Sequence, residues 1–299
     1  MLELVRPDID IDFIRLRKTA FALSAVLITV GLASLIAKGG PAYGIDFTGG
    51  LMLHVGVDPS VGIEEVRDSV AGLQDIGAIS VQEFGTEPGE YLLRVPVGDE
   101  KVGGGRAALI KNQLRTSFAD AGFEEKRTEI VGPRVGKELR RRGILSVIFA
   151  TLMMGAYIAI RFDLRFGIGA GAALAHDVLI TLGALSLASV EVNLSVVAAL
   201  LTVVGYSVND TVVVSDRIRE NMKRLKKGGL GDIINRSINE TLSRTLLTTG
   251  TSLIVLLVLF FLGGGVIHGF AFTLLIGLSA GTYSSIFIAS PVVEYWKRR

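Results

Sequence analysis

The 299-residue chain has no cysteine, so it holds neither a disulfide nor a thiolate metal site. That absence fits an oxidising or a reducing compartment equally well. Charge is also scarce. Charged residues make up 20% of the chain, against about 25% in an ordinary soluble domain. The formal net charge of +2 is too small to imply a nucleic-acid partner. Catalytic patterns are missing as well. Gly49-Gly50 and Gly103-Gly104-Gly105 read as turns, because neither continues into the Gly-Lys-Ser/Thr of a P-loop. No Ser-His-Asp or HExxH pattern occurs. His54 sits on a strand without a nucleophile beside it. His176 has no second histidine near it, so it reads as a packing or hydrogen-bonding group rather than a metal ligand. The expectation is a protein that is not an enzyme and uses no metal or cofactor.

Apolar residues are abundant. They make up 49% of the chain, the mean hydropathy is +0.51, and there are 36 glycines. Glycine is common where transmembrane helices pack closely. A hydrocarbon core of about 30 Å takes about 20 apolar residues as helix. Six stretches qualify: 20–37, 143–160, 166–190, 192–215, 241–267 and 269–295. The first follows Arg15, Arg17 and Lys18, but it outruns a signal-peptide core and lacks a clear small-x-small cleavage site.

Lys and Arg in short loops set the orientation. Arg161 and Arg165 separate spans two and three. Arg217, Arg219, Lys223, Arg224, Lys226, Lys227 and Arg236 separate spans four and five, and the chain ends Lys297-Arg298-Arg299. The opposite loops carry Glu191 in one, and Gly263 to Gly265 with His268 in the other. Both termini, 1–19 and 296–299, are therefore expected inside. Arg140, Arg141 and Arg142 lie on the other side, but they close a long domain, and long domains cross largely regardless of charge.

Residues 38–142 read as an extracytoplasmic α+β domain. Strand patterns fall at 51–57, 78–84, 91–97 and 127–131, and those at 78–84 and 91–97 alternate with period two. Helical patterns at 63–73 and 107–121 place apolar residues at the 3.6 period. The order β-α-β-β-α-β predicts a ferredoxin-like sandwich inserted between helices 1 and 2. Pro133 is expected to separate it from span two. Residues 216–240 read as a connector of two amphipathic helices on the membrane surface, broken at Gly228-Gly229.

Span four carries Asn209 and Asp210 in an otherwise apolar run. A charge at the bilayer centre costs about 2.5–3.5 kcal/mol on insertion scales, so it must be paired, face a cavity or lie shallow. Arg244 opens span five, antiparallel to span four, and can reach the same depth. An arginine stays protonated and grips a carboxylate with two prongs. His176 and Asp177 lie deeper, in span three. The sequence thus predicts a polar core of Asp210, Arg244, Asn209, Asp177 and His176, supported by Ser207, Thr211, Thr245 and Thr248. Such a core can load and release a proton, and a charge crossing the membrane gains about 2.3 kcal/mol per 100 mV. A static ion pair near the interface is the alternative reading of Asp210 and Arg244.

Four stretches carry a family resemblance: GIDFTGG at 44–50, VGPRVGKEL at 131–139, HDVLIT at 176–181 and GYSVNDTVVVSDRIREN at 205–221. Together with the six-span layout, they make the chain resemble the SecF family of the SecD–SecF protein-export complex, in the RND superfamily. Ser215 stands where that family often has Phe. The resemblance implies an α-helical membrane protein whose six helices form half of an RND-type bundle. It implies a location in the inner membrane and pairing with SecD, beside the SecY-E-G channel with YajC and YidC. The implied partners also include membrane lipids and a preprotein substrate, pulled outward by the proton-motive force. It places proton relay on Asp210 and Arg244, and it marks Asp46, Phe47, Thr48, Gly49 and Gly50 as an extracytoplasmic motif. Two other readings stay open: an RND-type half-transporter for a small or lipid substrate, and a passive scaffold subunit.

Overall fold

A computed structural model describes residues 10–73, 76, 79–84, 88–95, 100–224 and 229–297. The expected tail up to residue 9, Lys226 to Gly228 of the connector, residue 78 of the second strand, residues 96–97 of the third, and Arg298 and Arg299 lie outside the described residues. Two compact units emerge. One comprises 43–144 with 263–266, and the other holds the remaining helices.

The first unit contains α2 (Ile45–Thr48), β1 (Gly50–Gly56), α3 (Ile63–Ala71), β2 (Ser80–Glu83), β3 (Glu90–Val95), α4 (Glu100–Ser117) and β4 (Glu124–Val131). The sheet runs β2-β3-β1-β4, every pair antiparallel, which is the ferredoxin-like order. Alternation in β1 turns Leu51, Leu53 and Val55 to one face, where they are fully buried. Leu93 lies opposite Leu53 and is equally buried. Val66 and Val70 of α3 and Ile110 and Leu114 of α4 close over that face. Gly103 to Gly105 lie inside α4 rather than in a turn. Glycine costs about 1 kcal/mol per helical position, but Gly104 and Gly105 face open space at the helix start, and burial of Ala107, Ile110 and Leu114 holds the helix.

Among the described residues, six helices are long and apolar enough to cross a membrane: Phe13–Ala37, Pro133–Arg161, Leu164–Leu187, Leu194–Arg224, Leu230–Leu262 and Ile267–Trp296. The first five are α1, α5, α6, α7 and α8. The sixth is built from α9 (Gly264–Ser284), a π-turn (Ser285–Ala289) and α10 (Ser290–Lys297). Several helices outrun their expected spans, because a helix need not stop where the hydrocarbon does. Asp12 caps α1 by accepting from the Arg15 N–H at 3.0 Å, so the helix takes in Arg15, Arg17 and Lys18. Pro133 does not separate domain from span but opens α5, where its missing N–H has no partner to lose.

The connector also departs from expectation. α7 continues unbroken to Arg224, and α8 starts at Leu230 and runs into the span. Ile233, Ile234 and Ile238 are buried within the protein, the last two in a cluster with Phe13 and Ile218. Asn235 and Asn239 accept the Phe13 and Ile11 N–H groups at 2.7 and 3.0 Å and so clamp the start of α1 to α8.

Glycines set how closely the helices approach. A Cβ on Gly31 of α1 would lie 2.7 Å from Gly183 Cα of α6. On α9, a Cβ at Gly277 would lie 2.2 Å from Val203 Cγ2, and one at Gly281 would lie 2.9 Å from Ser207 Cβ. Small residues allow this backbone approach, which stands in for the hydrophobic drive that helices lack in lipid. The approach of α9 to α7 brings their hydroxyls to the carboxylates described next.

Candidate functional site

The polar core forms where α1, α6, α7, α8 and α9 meet. Asp177 is fully buried. Its carboxylate accepts from Ser207 Oγ of α7 at 2.6 Å and from Ser284 Oγ of α9 at 2.8 Å, and His176 Nδ1 lies 3.0 Å away. His176 Nε2 is 3.0 Å from Ser24 Oγ of α1, and its ring stacks on Tyr283 with centroids 5.8 Å apart. Tyr283 in turn donates to the Ala20 carbonyl at 2.7 Å. Asp177 thus ties α6 to α7 and α9 directly, and to α1 through His176.

Asp210 is held differently. It is only 2% exposed, yet its two hydroxyl partners are distant. Thr249 Oγ1 of α8 lies 3.4 Å from Oδ2 and Thr282 Oγ1 of α9 lies 3.5 Å away. Both are at the far limit of a hydrogen bond. The two threonines are closer to each other, at 2.7 Å. Ser207 and Asp210 sit one turn apart on α7, so the two carboxylates occupy successive levels of one bundle. The level of Asp177 lies farther from the α7 C-terminus than that of Asp210.

Among the described residues, no ion pair joins Asp210 to Arg244. Tyr206–Ser252 at 3.3 Å, Asp210–Thr249 at 3.4 Å, Arg217–Glu240 at 2.8 Å and Asn221–Ser237 at 3.0 Å share one antiparallel register. That register does bring Arg244 to the turn next to Asp210. However, Arg244 and Thr249 are five positions apart, about 140° round a 3.6-residue helix. The face of α8 that meets Asp210 is the Thr245/Thr249 face, and Arg244 is exposed.

Asn209 is exposed and lies outside the core, because one residue along a helix turns the side chain about 100° from Asp210. Thr211 and Thr245 are buried. The Thr245 hydroxyl has no hydrogen-bond partner among the described residues. Thr248 bonds the Arg244 and Thr245 carbonyls instead of the core. Ser24, Thr249, Thr282, Tyr283 and Ser284 belong to the site without having stood out in the sequence. The π-turn begins directly after Ser284, and single π-turns inside α-helices are frequent at functional sites.

In the other unit, the expected motif at 46–50 forms α2 and the bend after it. Thr48 Oγ1 donates to the Gly44 carbonyl at 3.1 Å, Phe47 is 2% exposed and Asp46 lies in the first turn. Gly49 has φ +75°, and a Cβ there would lie 2.7 Å from Pro133 Cα. A Cβ on Gly136 would lie 2.9 Å from Gly49 N. GIDFTGG and VGPRVGKEL therefore touch each other, as HDVLIT and GYSVNDT do through Asp177 and Ser207. His54 is buried and bonds Glu90 Oε2 at 2.8 Å, while Lys126 pairs with the other Glu90 oxygen.

Comparison with known proteins bears on both units. A family model described as "Protein export membrane protein SecD/SecF, C-terminal" matches residues 110–299. A protein translocase subunit SecF of Desulfurispirillum indicum is 48% identical over 294 residues, covering 97% of this chain and 92% of that protein. One of Magnetococcus marinus is 49% identical over 288 residues, covering 94% and 90%. The crystal structure of SecDF, a translocon-associated membrane protein from Thermus thermophilus, superposes with a TM-score of 0.85 at 36% identity. That match covers 99% of this chain and 40% of the SecDF chain, so the present chain spans well under half of it.

Proposed function

Because this chain belongs to the SecD/SecF family of protein-export membrane proteins, we propose that it is a proton-driven auxiliary subunit of the Sec translocase. It works with SecD beside the SecY-E-G channel, together with YajC and YidC, and promotes release of preproteins on the far side of the inner membrane. Both termini lie in the cytoplasm and the ferredoxin-like domain lies outside.

One observation supports the mechanism above the others: the two buried carboxylates are held unequally. Asp177 has three close partners on fixed groups and serves as the anchor of the bundle. Asp210 has two long contacts and serves as the group that takes up and releases the proton. When Asp210 is protonated, it can stay among Thr249 and Thr282 at little cost. When it ionises in a desolvated site, it needs a cation. Arg244, one turn away on another face of α8, is the near one, and a rotation of α8 would bring it in. The two states thus differ in how α7 and α8 engage, which lets proton passage drive helix movement. Fixed charges from the partner subunit complete the path.

The test is preprotein release from membrane vesicles containing this chain, SecD and the channel, with and without a proton gradient. Asp210→Asn removes the gradient-dependent part of release and leaves the gradient-independent part. If full gradient stimulation survives in Asp210→Asn, the chain acts as a passive scaffold and the relay is wrong.

A further inference from the structure

Outside the polar core, the helical unit holds a cleft of about 700 Å³ between the start of α1 and the end of α10. Phe21, Ile168, Pro291 and Trp296 give it apolar walls, and Arg17 and Lys18 bring two cations to it. Glu294 also lines the cleft and is 5% exposed. It pairs with Arg17 and so fixes the direction of that guanidinium. A guanidinium has five N–H donors, so the pair with Glu294 leaves Arg17 able to hold a second anion.

Three features narrow the occupant. The walls are apolar, so a peptide backbone laid there would leave N–H and C=O groups unsatisfied. The cations stand at the end of the spans, where long basic side chains reach to the interface. Trp296 is 49% exposed and Phe21 is 39% exposed, and Trp is the residue enriched at the headgroup level. An occupant must therefore be apolar at one end and anionic at the other. A zwitterionic headgroup would bring its own cation against Lys18, whereas an anionic one does not.

We propose that this cleft binds one anionic phospholipid, its phosphate between Arg17 and Lys18 and an acyl chain along Phe21, Ile168 and Trp296. The bound lipid joins the first and last spans at their common end, next to the Arg17–Glu294 pair.

Trp296 is the sole tryptophan of the chain, so it reports on the cleft directly. The test reconstitutes the full chain in phosphatidylcholine vesicles containing a small fraction of brominated phosphatidylglycerol or brominated phosphatidylcholine, and reads quenching of Trp296. The expected result is a preference of about fivefold per cation for the anionic quencher, since a basic side chain near a charged surface contributes about that factor. Lys18→Gln and high salt should each reduce the preference. Arg219→Gln, a charge removed elsewhere in the same unit, should leave it unchanged. Lys18 is exposed, so its replacement does not threaten folding. Equal quenching by the two lipids would overturn the proposal, as would a preference that falls equally with Arg219→Gln. Protection of Trp296 from both lipids would also overturn it, because a protein partner would then fill the cleft.

Discussion

Replacing Asp177 should damage the bundle more than replacing Asp210. Asp177→Ala removes the acceptor shared by Ser207, Ser284 and His176. In membranes a hydrogen bond between helices is worth about 0.6 kcal/mol on average and about 1.7 at most, so the two from α7 and α9 give about 1–3 kcal/mol. The stranded hydroxyl of Ser207 pushes the loss toward the upper end, because the residue is buried and an orphaned polar group costs more than its bond was worth, whereas Ser284 keeps its bond to the Gly281 carbonyl at 3.1 Å. Asp210→Ala removes two contacts of 3.4 and 3.5 Å. Thr249 and Thr282 keep each other as partners at 2.7 Å, so the loss is about 1 kcal/mol or less. The assay is reversible unfolding of the purified chain in mixed micelles, followed by Trp296 fluorescence and far-UV circular dichroism. The result that would refute the reasoning is Asp210→Ala destabilising as much as Asp177→Ala. The division into an anchor and a switching group would then fail.

Three further outcomes follow from the same geometry. Gly281→Val drives a branched side chain into Ser207, whose Cβ would lie 2.9 Å from the new Cβ. Overpacking of about 1–3 kcal/mol should part α9 from α7 and abolish gradient-dependent release without loss of membrane insertion, as read by vesicle flotation. Gly49→Ala meets both a φ of +75° and the Pro133 backbone. It should destabilise the ferredoxin-like domain by more than about 1–2 kcal/mol, the cost of the left-handed backbone alone, seen as faster hydrogen exchange in β1 and β4. Burial pushes the Glu90 carboxyl up, but hydrogen bonds and charge from Lys126 and His54 outweigh that and hold it below its ordinary value of 4.5. A depressed carboxylate contributes stability that is present above the unfolded value and lost as the pH falls below about 4.5 through the folded one. Glu90→Gln should therefore flatten the acid limb of a hydrogen-exchange profile of β3 against pH, and an unchanged limb would refute the assignment.

Most of the fold is legible in the sequence, because its signals are long. The apolar runs are too long for anything but spans, and period-two alternation in β1 and β3 forces one face inward. Helix ends are less legible. Arg217 to Arg224 hold too many charges to read as the continuation of a span, yet α7 runs through them and buries Ile218 in the core of the bundle. The site divides in the same way. Asp177 and Asp210 stand out because a carboxylate in an apolar run is costly. Thr249, Thr282 and Ser284 do not, because Ser and Thr in such helices can bond their own i−4 carbonyl and pass as neutral. Thr282 does bond the Leu278 carbonyl at 3.1 Å, while its oxygen also faces Asp210. Spacing puts Arg244 within a turn of the level of Asp210, whereas its side chain is exposed on another face of α8. Sequence spacing gives depth along a helix directly, whereas its facing depends on the register with a neighbour.

The central claim is that Asp210, and not Asp177, changes its proton when a gradient is imposed. Difference infrared spectroscopy of the protonated-carboxyl band, in oriented vesicles before and after a pH jump on one side, tests it most directly. The account predicts a band that vanishes in Asp210→Asn and remains in Asp177→Asn. A band that survives Asp210→Asn would contradict it.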